Sequence, residues 1–85
     1  MDEKPKILVV DDEDSHRIML RAVLSEDGYA VTEAADGTDA IMAVEKEAFD
    51  VILLDIRMTT MDGIEALIEI RKMSPLVPIL IMTAY

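Results

Sequence analysis

Asp55 closes the apolar run Val51-Ile52-Leu53-Leu54, and Asp11-Asp12-Glu13 closes a second run, Ile7-Leu8-Val9-Val10. In a parallel sheet the ends of both runs lie along one edge, so the carboxylates of Asp11, Asp12 and Asp55 converge. Three converging carboxylates repel one another, and a divalent cation removes that penalty. A set of oxygen donors with no His or Cys suits Mg²⁺ or Mn²⁺. Mg²⁺ usually takes only one or two carboxylates and keeps several waters, which leaves positions for a phosphoryl oxygen. Asp55 can serve as a ligand alone or also as a nucleophile, since carboxylates accept phosphoryl groups as mixed anhydrides. The chemistry of the side chain does not choose between the two. The plainer reading of Asp11–Asp14 is a solvated loop that caps a helix. Thr83 ends a further apolar run and either offers its hydroxyl to a phosphoryl oxygen or is an ordinary β-branched strand residue. Asp62-Gly63 reads as a turn and cap, and His16, beside Arg17, as a solvated surface residue.

Four apolar runs must supply the strands that carry these groups. Lys6–Val10, Val51–Leu54 and Pro78–Met82 are near-continuous and rich in Val and Ile, the pattern of strands covered on both faces. Tyr29–Ala34 mixes polar with apolar residues and fits an edge strand. Between them, three stretches have helical periodicity. Ser15–Ser25 carries the stripe Ile18, Met19, Ala22 and Val23, with Asp14 as its N-cap and Gly28 as its stop. Thr38–Lys46 carries Ala40, Ile41 and Val44, continued by Ala48, after an Asp36-Gly37 turn. Ile64–Met73 carries Ile64, Leu67, Ile68 and the stem of Arg71, and stops at Ser74-Pro75. The order β-α-β-α-β-α-β implies an α/β fold with a parallel sheet and right-handed crossovers. Ligands of such sheets bind outside the carboxyl ends of the strands, where the winding reverses. With the first strand between the second and third, Asp11, Asp12 and Asp55 lie at that point.

The chain has 85 residues, enough for a single small domain. Apolar residues make up 52% of it, too many for a disordered chain. A net charge of −10 argues against direct binding to nucleic acid or to anionic membranes. The absence of cysteine excludes thiolate metal sites and suits a reducing cytoplasm. The start of the chain lacks the apolar core of a signal peptide, and no run approaches a membrane span. The seven methionines, scattered among Leu and Ile, read as core filling.

Ile7-Leu8-Val9-Val10-Asp11-Asp12-Glu13, Asp55-Ile56-Arg57-Met58 with Met61-Asp62-Gly63, and Ile81-Met82-Thr83-Ala84 together resemble the receiver domain of two-component response regulators. The wording is most similar to receivers of sigma-54-dependent transcriptional activators, and it runs from Lys6 to Tyr85. The resemblance implies a doubly wound, flavodoxin-like (CheY-like) sheet, here with strand order 2-1-3-4. It implies that Asp55 accepts a phosphoryl group from a histidine kinase. Mg²⁺ would be held by Asp12, Asp55 and the main-chain carbonyl of Arg57, with Asp11 acting mainly through a metal-bound water. Thr83 would move toward the phosphoryl group as the switch. Thr59 departs from the family, which usually has proline there.

A complete receiver continues through a fourth helix, a fifth strand and a fifth helix, and its fifth strand carries a lysine that contacts the phosphoryl group. Residues 1–85 therefore read as the N-terminal part of one receiver domain, without the output domain, which is expected to be transcriptional. In that form Pro78–Met82 is an exposed apolar edge, and a homodimer or higher oligomer, by edge pairing or element exchange, or else a poorly folded monomer, is the expected state. The face beside the first helix is expected to be bare, and switching to be impaired. Two alternatives are weaker. A haloacid-dehalogenase-type phosphatase needs a second aspartate where Arg57 stands and leaves Asp11-Asp12 unexplained, and a purely self-associating fragment predicts no dependence on Mg²⁺. Flavin binding is excluded by the acidic run after the first strand, which repels phosphate.

Overall fold

The computed structural model describes residues 3–56 and 63–82. In chain order these form β1 (Lys6–Val10), α1 (Asp14–Glu26), β2 (Ala30–Ala34), α2 (Gly37–Lys46), β3 (Val51–Asp55), α3 (Gly63–Met73) and β4 (Ile79–Met82). The strands make one parallel sheet in the order β2-β1-β3-β4. This is the flavodoxin-like arrangement expected from the alternation of apolar runs and helical stretches. Because β1 lies between β2 and β3, the chain reverses direction across the sheet after β2. Right-handed crossovers then place α1 on one face and α2 and α3 on the other.

The continuous apolar runs of β1 and β3 are explained by this double covering, whereas the run expected to be covered at Pro78–Met82 has no buried residue among those described. Alternate residues Leu8, Val10, Ile52 and Leu54 join Ala34, Ala40 and Ile70 in the main core, with Ile41, Val44, Phe49, Leu67 and Ile79 packed around them. Ile7 and Val9, of opposite parity, are buried on the other face. β2 takes an outer position, as its mixed composition predicts, and only Ala34 of it is buried. β4 is the other outer strand of the described sheet, and its Leu80 and Ile81 are 57% and 46% exposed.

The helix ends follow their residues. Gly28 has φ of 94° and terminates α1 with paired bonds, Gly28 N–H to Ser25 O and Tyr29 N–H to Leu24 O, both 3.1 Å. Asp36 caps α2 by accepting from the Asp39 N–H at 2.8 Å. The Arg71 guanidinium closes the turn into β4 by donating to the carbonyls of Ser74, Pro75 and Val77.

Several expectations need correction. Asp14 is the first residue of α1 rather than its cap; the cap position is Glu13, whose side chain makes no capping bond. The stripe Ile18, Met19, Ala22 and Val23 does not face the sheet: all four are exposed, while Leu20 and Leu24 are half-buried. The helix carries apolar residues on two faces. The one turned inward also holds Arg17, three residues before Leu20, which ion-pairs with Glu33 on β2. In α3, Ile64 and Ile68 are exposed, and Gly63, Ala66, Leu67 and Ile70 face the core. Small Gly63 and Ala66 let that helix approach the strands closely, which a search for large apolar residues misses. Ala48 lies beyond α2 and is exposed.

Candidate functional site

β1 and β3 are paired so that Val10 is level with Leu54. Asp55 ends β3 and Asp11 follows directly on β1, so the two come next along this register. Neighbouring strands lie about 4.8 Å apart, so the two aspartates are brought together by register alone. Asp12 follows at once in the turn to α1. Carboxylate oxygens of Asp11, Asp12 and Asp55 all lie within 4.8 Å of one another. Asp11 and Asp55 are 3% and 5% exposed and are the buried charged residues of the described chain, whereas Asp12 is open to solvent. Two buried carboxylates and one exposed one, all oxygen donors, fit a hard divalent cation that keeps contact with water.

Asp11 is the most constrained of the three. Its Oδ1 accepts from the Glu13 N–H at 2.9 Å, which shapes the turn into α1. Its Oδ2 stands 3.4 Å from Nδ1 of His16, which is also 3.3 Å from Glu13 Oε1. Its N–H donates to Ala34 O at 3.1 Å and its carbonyl accepts from Arg17 Nη1 at 2.6 Å. Among the described residues, no buried side-chain polar atom lacks a partner.

His16, 38% exposed as befits a surface residue, is thus also a neighbour of the cluster. Its position three residues after Glu13 is the signal that was available. Arg17 also escaped the sequence reading. Burial works against its charge, but Asp14 and Glu33 outweigh that and raise its pKa further above an already high value. Hydrogen bonding from Arg21, then from Arg17, holds the Glu33 carboxyl below the usual carboxylate range, although partial burial opposes it.

Gly63 borders the site from the other side. A Cβ there would lie 2.2 Å from Ile56 Cα and 2.9 Å from Asp55 O. The start of α3 is therefore laid directly on the backbone that presents Asp55, a stronger reason for glycine than the turn expected of Asp62-Gly63. Thr83, the carbonyl of Arg57, Thr59 and Asp62 lie outside the described residues.

Among the described residues no helix is long and apolar enough to cross a membrane. Residues 7–85 match the family described as the response regulator receiver domain. The chain is 51% identical over 83 residues to the transcriptional regulatory protein ZraR of Klebsiella oxytoca, covering 98% of this chain and 19% of that protein. It is 42% identical over 80 residues to sporulation initiation phosphotransferase F of Bacillus subtilis, covering 94% of this chain and 64% of the relative. It spans less than two thirds of either relative's length. The crystal structure of response regulator protein TrrA from Thermotoga maritima, in complex with Mg²⁺-BeF, superposes with a TM-score of 0.89 at 38% identity. That match covers 95% of this chain and 70% of TrrA.

Proposed function

The chain belongs to the response regulator receiver domain family, and from that premise we propose that Asp55 is its phosphoryl acceptor. The observation that carries this reading is the meeting of Asp11, Asp12 and Asp55 at the carboxyl ends of adjacent parallel strands, where the sheet reverses its winding. An Asp55 oxygen attacks the phosphorus of a kinase phosphohistidine. The P–N bond breaks, its electron pair stays on the imidazole, and an aspartyl phosphate results. Buried at 5% exposure, Asp55 reacts where competing water is scarce.

Asp12, Asp55 and the main-chain carbonyl of Arg57 would hold Mg²⁺, with Mn²⁺ as a substitute. When bound, the cation neutralises the phosphoryl oxygens as charge shifts. The Glu13 N–H bonds one oxygen of Asp11 and His16 Nδ1 stands 3.4 Å from the other, which supports its acting through a water. Thr83 would reach the phosphoryl group as the switch. The family assignment leaves no role for the phosphatase alternative.

Residues 1–85 form the N-terminal part of one receiver domain. The histidine kinase is the partner, and the likeness to ZraR supports a transcriptional output elsewhere in the whole protein. The charge of −10 supports no direct contact to nucleic acid or anionic membrane, and the absence of cysteine suits a cytoplasmic domain. Exposed Leu80 and Ile81 on β4 support self-association of the 85-residue chain through that edge. A sedimentation coefficient that stays monomeric at high concentration would exclude it.

Intact mass after incubation with acetyl phosphate tests the central reading. One phosphoryl adduct that needs Mg²⁺ and is lost in Asp55→Asn is expected. An adduct that survives the substitution would overturn the assignment of Asp55.

A further inference from the structure

Arg17 has three separate partners: one just past the end of β1, one at the start of its own helix α1 and one on β2. Nη1 donates to the main-chain carbonyl of Asp11 at 2.6 Å, at the end of β1. Nη2 donates to the carboxylate of Asp14, the first residue of α1. Nε donates to Glu33 Oε1 at 3.2 Å, on β2. The other Glu33 oxygen accepts from Arg21 Nη1 at 2.8 Å. The Arg17 side chain is 12% exposed, against 56% for Arg21.

Fastening α1 to β2 would need only the ion pair with Glu33, and Arg21 makes such a pair at the surface. The bond to the Asp11 carbonyl does something else. That carbonyl belongs to the peptide joining Asp11 to Asp12, so the guanidinium fixes the plane of the peptide from which two of the three clustered carboxylates project. The Asp11 N–H, held by Ala34 O, and Oδ1, held by the Glu13 N–H, fix the same residue from its other sides. The planar guanidinium spreads its donors over three nitrogens held in fixed directions, whereas the three donors of an ammonium radiate from one nitrogen on a flexible stem and cannot reach three acceptors spaced this way.

We propose that Arg17 is a positioning residue for the cation site: by gripping the Asp11–Asp12 peptide it aims both carboxylates at Asp55 before any ion arrives. The proposal rests on reading the cluster as a cation site. Groups that orient metal ligands typically contribute 10- to 100-fold to metal affinity. Lysine at this position keeps the charge and loses the fork, so the fold survives while the aim is lost.

The experiment is a Mg²⁺ titration by calorimetry and by amide NMR of the 85-residue chain, wild type, Arg17→Lys, Arg21→Gln and Asp12→Asn. The thermal midpoint without Mg²⁺ is recorded for each. Arg17→Lys is expected to weaken Mg²⁺ by about 10-fold or more. Arg21→Gln, which loses an ion pair to the same Glu33 but has no bond to Asp11, should bind Mg²⁺ within about twofold of wild type with a small loss of midpoint. Wild-type affinity in Arg17→Lys, or losses in both variants that follow only their midpoints, would overturn the inference while Asp12→Asn still reports the cation site. A wild type that binds no Mg²⁺, or binds it as well without Asp12, would overturn the cation reading and this inference with it.

Discussion

Gly63→Ala tests whether the placement of Asp55 depends on the close approach of α3. The new Cβ would sit 2.2 Å from Ile56 Cα, 2.8 Å from Ile56 C and 2.9 Å from Asp55 O. All three are backbone atoms, so no side chain can swing aside. Non-bonded carbons rest at about 3.5 Å or more, so the helix start or the Asp55–Ile56 backbone must move by roughly 1 Å. Forcing extra volume into packed structure typically costs about 1–3 kcal/mol, and backbone obstacles put this case at the upper end. The same movement spoils a site whose groups must hold position to about 0.5 Å. The urea midpoint should fall with its slope unchanged, and Mg²⁺ affinity, read by amide NMR, should fall by more than tenfold. A variant with wild-type midpoint and wild-type Mg²⁺ affinity would show that this contact does not set the position of Asp55.

Three further outcomes are expected. Leu8→Ala empties a wholly buried site at the centre of the sheet and should cost about 2–5 kcal/mol, enough to leave so small a domain largely unfolded by circular dichroism at room temperature. Gly28→Ala places a side chain at φ of 94°, where the Schellman bonds need it, and should lower the urea midpoint by the equivalent of about 1 kcal/mol. Glu33, held below the usual carboxylate range in the fold, contributes stability that is complete above the ordinary Glu pKa and is lost as pH falls through its lowered value. Urea midpoints from pH 7 to pH 3 should therefore fall more steeply for wild type than for Glu33→Gln, and the two curves should converge at the acid end.

The strands and the acidic cluster could be read from the residues because they depend on adjacent positions. An apolar run that stops in Asp needs only a parallel register to bring Asp11 and Asp55 level, and the β-α alternation supplies it. Orientation around the helix axes was less visible. In α1 two faces are apolar, and the choice between them is made by a contact 16 residues away, Arg17 with Glu33. In α3 the buried face is set by Gly63 and Ala66, whose small size matters only once the strand beneath is known. His16 and Arg17 act on the site through Asp11, one through its carboxylate and one through its carbonyl, and carbonyl partners leave no mark in side-chain patterns.

The central place of β1 has a consequence during synthesis. β1 is made first, yet it needs β3 as a neighbour, and the bond from Lys6 N–H to Asp50 spans 44 residues. At roughly 5–20 residues per second, Ile7-Leu8-Val9-Val10 waits for seconds as an uncharged β-forming segment, the type most prone to pair with other chains. Lys4 and Lys6 flank it on one side and Asp11, Asp12 and Glu13 on the other, where charged residues act as gatekeepers against such pairing. The carboxylates of the site thus also guard the nascent strand. Neutralising Asp11 and Asp12 together would show first as lost soluble yield.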